Sequence, residues 1–422
     1  MERIAIIDGL RSPIAKANGK LNNVEVDTLG AIIAKELVLR SKLDYDDFDE
    51  VIIGNVSQPV GSANVARVTA SLAGFSQYTP AYTVHRNCAS GMQSISSGIE
   101  KIYAKQGELY LVGGMESMSN IPVLFSQKFK DFLMELNSAR KPMDKLKVFT
   151  KFRLHFLKPT IGLIAGLTDP ISGKIMGVTG ENLANEFNIS RDAQDEYAVQ
   201  SHLKAQKAIE EGIFKSEIHP IMTHNASIVD DDGVRFNQTC EALGKLRPIF
   251  DRNGTVTAGN ASQVSDGAAM LIICSESKAK ALGVEPLGFI TNYAYAGLDA
   301  ARMGLGPVHA TKKLLDKTGE KLKDMDLIEL NEAFATQVLA NMQAFRSKTF
   351  AKKEFNSDPL GEINPEILNV NGGAIALGHP VGMSGTRIVL HLLKELKRRG
   401  LKKGLATLCV GGGQGASFLV EV

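Results

Sequence analysis

Apolar residues fall along this chain in short unbroken runs, separated by longer stretches with helical spacing. Residues 4–8, 50–56, 81–85 and 109–113 are such runs; lacking polar alternation, they predict strands buried on both faces. Between them, residues 27–41 place Leu29, Ile32, Ile33 and Leu37 on one helical face, with Asp27 or Thr28 as N-cap. Residues 64–73 predict a small-residue helix. Residues 87–105 predict another, aligning Met92, Ile95, Ile99 and Ile102. Its Ser90, Gly91, Ser94, Ser97 and Gly98 weaken helix propensity, which predicts backbone packed closely against a second element.

The same order returns later. D-M-D-L-I-E-L-N, ending at Asn331, echoes D-F-D-E-V-I-I-G-N, ending at Asn55, and G-L-A-T-L-C-V-G from Gly404 stands where E-L-Y-L-V-G-G stands from Glu108. The offset grows from 276 to 296 residues, as an insertion near 347–366 would cause. Two strand-and-helix copies imply two α/β domains with largely buried sheets. The stretch between them, 121–262, does not fit the repeat. It opens with two amphipathic stripes, Phe129, Phe132, Leu133 and Leu136, then Met143, Leu146, Phe149, Phe152 and Phe156. Later it holds a helix over 188–212 capped by Ser190, then a loop-rich 245–266 that would form a pocket wall.

Composition narrows the class. The 422 residues, 44% hydrophobic and 22% charged, describe a globular protein able to bury a large core. A net charge of +2 implies no general nucleic-acid role. The balance is local, however: residues 127–158 carry nine basic and three acidic side chains, leaving the rest of the chain at −4. That insertion reads as a solvated helical face, or as a surface for anionic phosphates, a partner protein or a membrane interface. No apolar run approaches the ~20 residues of a membrane span. Neither end suggests a signal or targeting segment, and four scattered cysteines suggest a reducing compartment, so a cytoplasmic location is expected.

The chemistry-bearing residues gather around glycine-rich turns. Residues 369–387, N-V-N-G-G-A-I-A-L-G-H-P-V-G-M-S-G-T-R, place His379 among five glycines, with Pro380 keeping it on a loop. Two cysteines are candidate partners. Cys88 begins the Ser/Gly-rich helix, whose dipole would lower its pKa. Cys409 opens V-G-G-G-Q-G, exposed backbone N–H groups beside a sulfur; without a following Lys-Ser/Thr this is no phosphate loop. Cys240 and Cys274 have no such context and read as structural, and the Cys88, His379 and Cys409 spacings match no zinc pattern. Asn331, in N-E-A-F-A, is either an ordinary helix cap or an amide that orients a water or a carbonyl.

Taken in order, the segments I-I-D-G-L-R-S-P, N-C-A-S-G-M-Q, G-G-M-E-S-M-S, M-G-V-T-G-E-N, T-V-T-A-G-N-A-S, N-E-A-F-A, G-G-A-I-A-L-G-H-P-V-G-M-S-G-T-R and C-V-G-G-G-Q-G resemble the thiolases over essentially the whole chain. The resemblance implies a thiolase-like α/β fold: two duplicated α/β domains with mixed sheets, layered αβαβα, plus an inserted loop domain. The expected division is 1–120 for the N-terminal domain, completed by 263–285, then 121–262 for the loop or lid, and 286–422 for the C-terminal domain. It also implies that Cys88 is acylated, that His379 takes its proton, and that Cys409 is the second acid/base. Asn331 would hold a water that, with His379, receives one thioester oxyanion; the N–H groups of Cys88 and Gly411 would receive the other. Coenzyme A would lie over Ser262 and Met176, with Met303 and Phe334 lining the acyl end, and no permanently bound cofactor or metal is expected.

Two features bear on substrate. Ile175 stands where short-chain biosynthetic thiolases have His, and the insertion with F-T-K-F-R-L-H-F-L-K-P is similar to the lid of thiolase subunits in fatty-acid oxidation complexes. Those subunits often have His in place of Asn331, and G-L-T-D at 166–169 leans toward the biosynthetic type. The expected activity is therefore thiolysis of 3-ketoacyl-CoA by a ping-pong acyl-enzyme route in fatty-acid β-oxidation. Acetoacetyl-CoA condensation and a catalytically dead thiolase-fold scaffold are the alternatives; a decarboxylating ketoacyl synthase is disfavoured by Cys409. Expected partners are acyl-CoA and CoA, a second copy or copies in a dimer or tetramer, and a hydratase/dehydrogenase subunit or a membrane at lid 127–158.

Overall fold

The computed structural model describes every residue except Met1, Ile171, His224 and Asn225. Its strands are β1 (Ile4–Arg11), β2 (Glu50–Gly54), β3 (Ala81–Val84), β4 (Leu109–Ser117), β5 (Ser265–Ser275), β6 (Gly288–Gly297), β7 (Leu327–Leu330), β8 (Lys403–Val410) and β9 (Gln414–Glu421). The helices that matter are α1 (Val26–Ser41), α2 (Val65–Ala73), α3 (Ser90–Tyr103), α4 (Gln127–Ser138), α5 (Pro142–Phe149), α6 (Met176–Glu186), α7 (Arg191–Glu210), α8 (Gly306–Thr318), α9 (Ala335–Arg346) and α10 (Val381–Arg399).

The strands lie in the order β7-β8-β9-β6-β1-β5-β4-β2-β3, with Ala15–Lys16 adding a short tenth member beside β5. The order is nearly a palindrome. β3, β2 and β4 run parallel and then meet antiparallel β5 and β1; from the other end, β7 and β8 run parallel and then meet antiparallel β9 and β6. Even β3 has its counterpart, since Leu368 bridges Ile328 in parallel beyond β7. The repeat read from the sequence is thus a structural one. The two halves are joined edge to edge, through Ile4–Ile6 of β1 against β6. The expected insertion at 347–366 contains a helix of its own, Lys348–Phe355.

Alternation along each strand explains why its sequence is apolar throughout. Ala5 and Ile7 of β1, Met270 and Ile272 of β5, and Leu109 and Leu111 of β4 face a core with α1 and α2. Their neighbours Ile4, Ile6, Leu271, Ile273, Tyr110 and Val112 face α3 and α10, which also cover Ala406, Leu408, Phe418 and Val420 of the second half. The outer face of that second half, with Leu405 and Leu419, packs on α8 and α9. Five layers result, helices outside each half-sheet and one shared pair, α3 and α10, between them.

That pair packs backbone to backbone. A Cβ on Gly91 would lie 2.5 Å from Thr386 Oγ1, 2.8 Å from Thr386 N and 3.0 Å from Gly382 O, so the small residues of α3 have the close neighbour expected of them. Two helix starts differ from expectation. α1 begins at Val26 with Glu25 as an N-cap that makes no side-chain bond; Asp27 lies inside the first turn, where it accepts from Thr28 N and Ser62 Oγ. α3 begins at Ser90 rather than 87, because Asn87 sits at φ 43° and turns the chain before the helix can start. Ser190 does cap α7, accepting from Ala193 N.

Candidate active site

The duplicated architecture brings two helix N-termini together. β3 ends, Asn87 turns the backbone, and Cys88 lies just before α3. In the second half Gly378, at φ 111°, turns the chain so that His379 lies just before α10. Because Gly91 and Gly382 touch, both positive helix ends point into one place, a setting that favours any negative charge formed there. The loop after β8 completes it, with Cys409 at the end of the strand and Gly412 and Gly413 in left-handed conformation. Asn331 follows β7, its N–H donating to Thr407 O of the neighbouring strand at 3.0 Å.

The contacts join these residues in two groups, Cys88 with Gly411 and Cys409, and Asn331 with His379, brought together where Gly91 meets Gly382. The backbone N–H groups of Gly411 and of Cys88 itself favour the Cys88 thiolate. Asn87 Nδ2 donates to Gly411 O at 2.7 Å, which ties the two loops. Cys409 is near enough that Cys88 raises its pKa. Asn331 Nδ2 stands 3.5 Å from His379 Nε2, while Asn331 Oδ1 is buried with no hydrogen-bond partner among the described residues.

The protonation states follow from burial. Desolvation pushes the Cys88 thiol up despite its N–H contacts, so the lowering expected from helix position alone is outweighed. The Cys409 thiol is pushed far up by burial and by Cys88. His379 is held down at about 4, first by burial and then by the Arg387 guanidinium, so near neutral pH it is an uncharged base. Its tautomer is fixed. Ser384 Oγ donates to Pro380 O at 2.9 Å and therefore accepts from His379 Nδ1–H at 2.6 Å, leaving Nε2 as the unprotonated nitrogen, with Asn331 Nδ2 as its long contact at 3.5 Å. The His379 backbone N–H is held as well, by Gln263 O and Ser265 Oγ.

A cavity of about 350 Å³ opens beside the cluster. His379 forms its inner wall, and Met176, Ser262 and Phe334 line it as expected, together with Ile175, Met118, Leu167 and Phe250. Met303 is not on that lining; it is buried against Cys409 and Phe334. Cys88, Cys409, Asn331 and Gly411 are also off the lining. Four contributors were not singled out from the sequence. Ser384, five residues beyond His379, and Asn87, next to Cys88, could have been found as polar neighbours of named residues. Glu116 is buried and accepts from Val56 N, Ser57 N and Gly382 N, which pins the start of α10. Arg235 is exposed on the cavity wall and has no acidic partner among the described residues.

The relatives of this chain are consistent along its length. The model for the thiolase N-terminal domain matches residues 4–277, and that for the C-terminal domain matches 284–422. A 3-ketoacyl-CoA thiolase of Pseudoalteromonas translucida is 40% identical over all of this chain and 97% of its own length; one from Yersinia pestis is 39% identical with the same coverage. Among solved structures, the acetyl-CoA acetyltransferase of Bacillus anthracis superposes with a TM-score of 0.87 at 39% identity, covering 100% of this chain and 99% of its own. Human mitochondrial 3-ketoacyl-CoA thiolase in complex with CoA gives 0.86 at 36% identity, covering 100% and 98%.

Proposed function

The chain belongs to the thiolase family of acyltransferases, and from that premise we propose that it cleaves 3-ketoacyl-CoA with coenzyme A, releasing acetyl-CoA and a shortened acyl-CoA in fatty-acid β-oxidation. The observation that carries this is the helix junction where Gly91 meets Gly382, which holds Cys88, tied to the Gly411 loop by the Asn87 Nδ2–Gly411 O bond, and a neutral His379 with an unprotonated Nε2 at the two adjoining helix starts. As His379 Nε2 takes its proton, Cys88 Sγ attacks the 3-keto carbon. The C2–C3 bond then breaks, and its electron pair stays on C2 as the acetyl-CoA carbanion, which takes the Cys409 proton. In the second half-reaction CoA–SH returns a proton to Cys409 and attacks the acyl-Cys88 thioester; the departing Cys88 sulfur recovers its proton from His379. Both half-reactions balance with no other reactant.

Charge develops on oxygen twice, and each has its donors in this reading. The Cys88 and Gly411 N–H groups receive the acyl oxygen, each worth about 3 kcal/mol. Asn331, with its buried unpartnered Oδ1, orders a water that joins His379 at the CoA thioester oxygen. Met176 and Ser262 hold the pantetheine arm, Phe334 and Met303 back the acyl end, and Arg235 faces the CoA phosphates. Ile175 on the lining, in place of a polar side chain, supports medium or long acyl chains. No cofactor is required beyond CoA itself.

Incubation with a labelled acyl-CoA should add one acyl group to Cys88, and none in Cys88→Ala; no label on the parent protein would leave a scaffold role. Condensation of two acetyl-CoA is the second reading, favoured by the Bacillus anthracis acetyltransferase at 39% identity. The ratio of kcat/KM for acetoacetyl-CoA against a long-chain 3-ketoacyl-CoA separates the two. Half-buried edge strand β3, with its open hydrogen-bonding side next to Cys88, supports assembly as a homodimer or tetramer. No helix among the described residues is long and apolar enough to cross a membrane, and four free cysteines support a reducing cytoplasm. We also retain the division at 1–120 with 263–285, 121–262 and 286–422.

A further inference from the structure

Glu332 follows Asn331 in the chain, is 1% exposed, and takes no part in the reaction as written. A carboxylate buried so completely is usually met by a cation. Among the described residues none forms an ion pair with it, and four neutral donors surround it instead. Oε1 accepts from Tyr197 OH at 2.9 Å and from Asn369 Nδ2 at 3.0 Å; Oε2 accepts from Ser201 Oγ at 2.7 Å and from the Ile375 N–H at 3.2 Å. Tyr197 and Ser201 lie on α7, and Ile375 lies in the short helix Ala374–Leu377 that leads to Gly378 and His379. The carboxyl packs so closely on this turn that a Cβ at Gly373 would have no room.

Asn331 is gripped from both sides by this arrangement. On one side Asn369, at φ 44°, lays its side-chain amide against the end of β7: Oδ1 accepts from Leu330 N and Nδ2 donates to Leu330 O, both at 2.8 Å. On the other side stands the Glu332 carboxylate, which the same Nδ2 meets. The Asn331 side chain has no such anchor of its own, only the 3.5 Å approach to His379 Nε2 and an Oδ1 without a partner among the described residues. His379 is held independently, its N–H by Gln263 O and Ser265 Oγ and its ring by Ser384. We propose that Glu332 is a positioning residue, whose carboxylate ties α7, Asn369 and the helix before His379 together and so fixes the Asn331 amide at the site of the CoA thioester oxyanion. This rests on the thiolysis reading, in which Asn331 orders the water at that oxygen.

The donors specify a carboxylate rather than an amide. Each oxygen meets one hydroxyl, which can turn to accept, and one N–H, which cannot. An amide at 332, whichever way it is placed, sets its NH2 against either Asn369 Nδ2 or the Ile375 N–H, donor against donor. Glu332→Gln therefore keeps the volume of the side chain and opens one of its two fixed bonds, which frees Asn331 to shift.

The test compares two reactions of the full chain. Cleavage of a 3-ketoacyl-CoA forms the acetyl-CoA carbanion and needs charge held at the CoA thioester oxygen. Exchange of labelled CoA into an acyl-CoA without a 3-keto group does not: Cys88 passes its proton to His379 and attacks the thioester, the CoA thiolate takes the Cys409 proton, and the same steps reverse with labelled CoA. Asn331→Ala should slow cleavage about a hundredfold. Glu332→Gln should slow it about ten- to a hundredfold and leave exchange within about twofold of the parent, and the double variant should cleave no more slowly than Asn331→Ala alone. Tyr197→Phe, which removes a single donor and keeps the ring, should slow cleavage about fivefold with the same selectivity. Equal slowing of cleavage and exchange, or a double variant in which the two losses multiply, would give Glu332 a role in fold stability only and overturn the proposal. So would normal cleavage by Glu332→Gln or, where that chain does not fold, by Tyr197→Phe, beside a slow Asn331→Ala. Cleavage unaffected by Asn331→Ala would instead remove the reading of Asn331 from which the proposal starts.

Discussion

Replacing Ser384 by Ala tests whether His379 works as a proton acceptor in a fixed tautomer. Both residues are buried, and the 2.6 Å contact leaves Ser384 Oγ no proton to give the ring, since its own goes to Pro380 O. Alanine strands the Nδ1–H of the imidazole, whereas Pro380 O still accepts from the N–H groups of Met383 and Ser384. The loss therefore falls almost wholly on the ring. In the ground state a buried donor without a partner costs about 1–3 kcal/mol. When the ring accepts the Cys88 proton it becomes cationic, and the bond to Ser384 becomes charge-assisted and stronger. A differential loss of about 1.5–3 kcal/mol at that point would slow acylation roughly 10- to 150-fold.

The assay is single-turnover acylation of Cys88 followed by mass, at several acyl-CoA concentrations. The rate constant should fall with little change in half-saturation, because Ser384 is off the cavity lining. Ser384→Thr, which keeps an Oγ, should recover most of the rate. A Ser384→Ala protein that acylates within twofold of the parent would refute the tautomer argument. A loss that Thr does not rescue, accompanied by a large fall in Tm, would assign Ser384 a role in packing only.

Three other outcomes follow from the same geometry. Burial holds His379 and His202 at about 4, so each binds its proton less tightly folded than unfolded. Their contribution to stability is complete above about 6.5 and lost as pH falls through 4. Glu116, raised to about 7, acts in the opposite sense, complete below about 4.5 and lost as pH rises through 7. The assignment is read by subtraction: Glu116→Gln should remove a part of the stability that falls as pH rises from 4.5 to 7, and a urea-unfolding pH profile of the same shape in that variant would contradict it. Gly91→Ala brings a Cβ within 2.8 Å of the Thr386 nitrogen and 3.0 Å of Gly382 O, backbone that cannot step aside, so a loss of about 3 kcal/mol is expected by thermal unfolding. Arg235→Ala should raise KM for CoA about tenfold and leave kcat nearly unchanged; an unchanged KM would remove Arg235 from the CoA site.

Much of this was legible in the chain because it is written in local terms. The run V-I-I-G in β2 reads as a strand buried on both faces, and Ile53 and Ile52 do face the two cores, while the repeat of D-F-D-E-V-I-I-G-N in D-M-D-L-I-E-L-N carried over to paired strands. Cys88 and His379 stood out because each lies beside residues that bend the chain and admit a neighbour. What was not legible depended on tertiary burial. Dipole position suggested a lowered Cys88 pKa, yet desolvation, invisible to a sequence pattern, decides the sign. The amphipathic stripes of 121–262 showed the same limit: Phe129 and Phe132 looked equivalent to Met143 and Leu146, but only the three-dimensional packing separates the small inner core from the outward face. Ser384 was missed because its importance lies in one bond to one ring.

The duplication gives the site its logic. Each half of the chain supplies one glycine-bearing helix N-terminus and one adjacent side chain, Cys88 from the first and His379 from the second, so in the proposed reaction the nucleophilic thiol and its base come from different halves. The halves meet through backbone atoms: a Cβ at Gly114 would stand 2.0 Å from Gly382 O, and one at Gly382 would stand 2.5 Å from Met115 O. Side chains can change rotamer, whereas contacts of this kind fix the helices to within fractions of an ångström. Glu116 binds the same junction through Gly382 N, Val56 N and Ser57 N. A reaction that places negative charge first on one oxygen and then on another is served best by donors that do not reorganise between the two events. In the proposed reaction the Cys88 N–H, at the start of α3, and the Gly411 N–H, in the loop tied to Asn87, meet that requirement for the acyl oxygen, and the glycines that weaken α3 and α10 separately are what let the two helices hold Cys88 and His379 at one fixed junction.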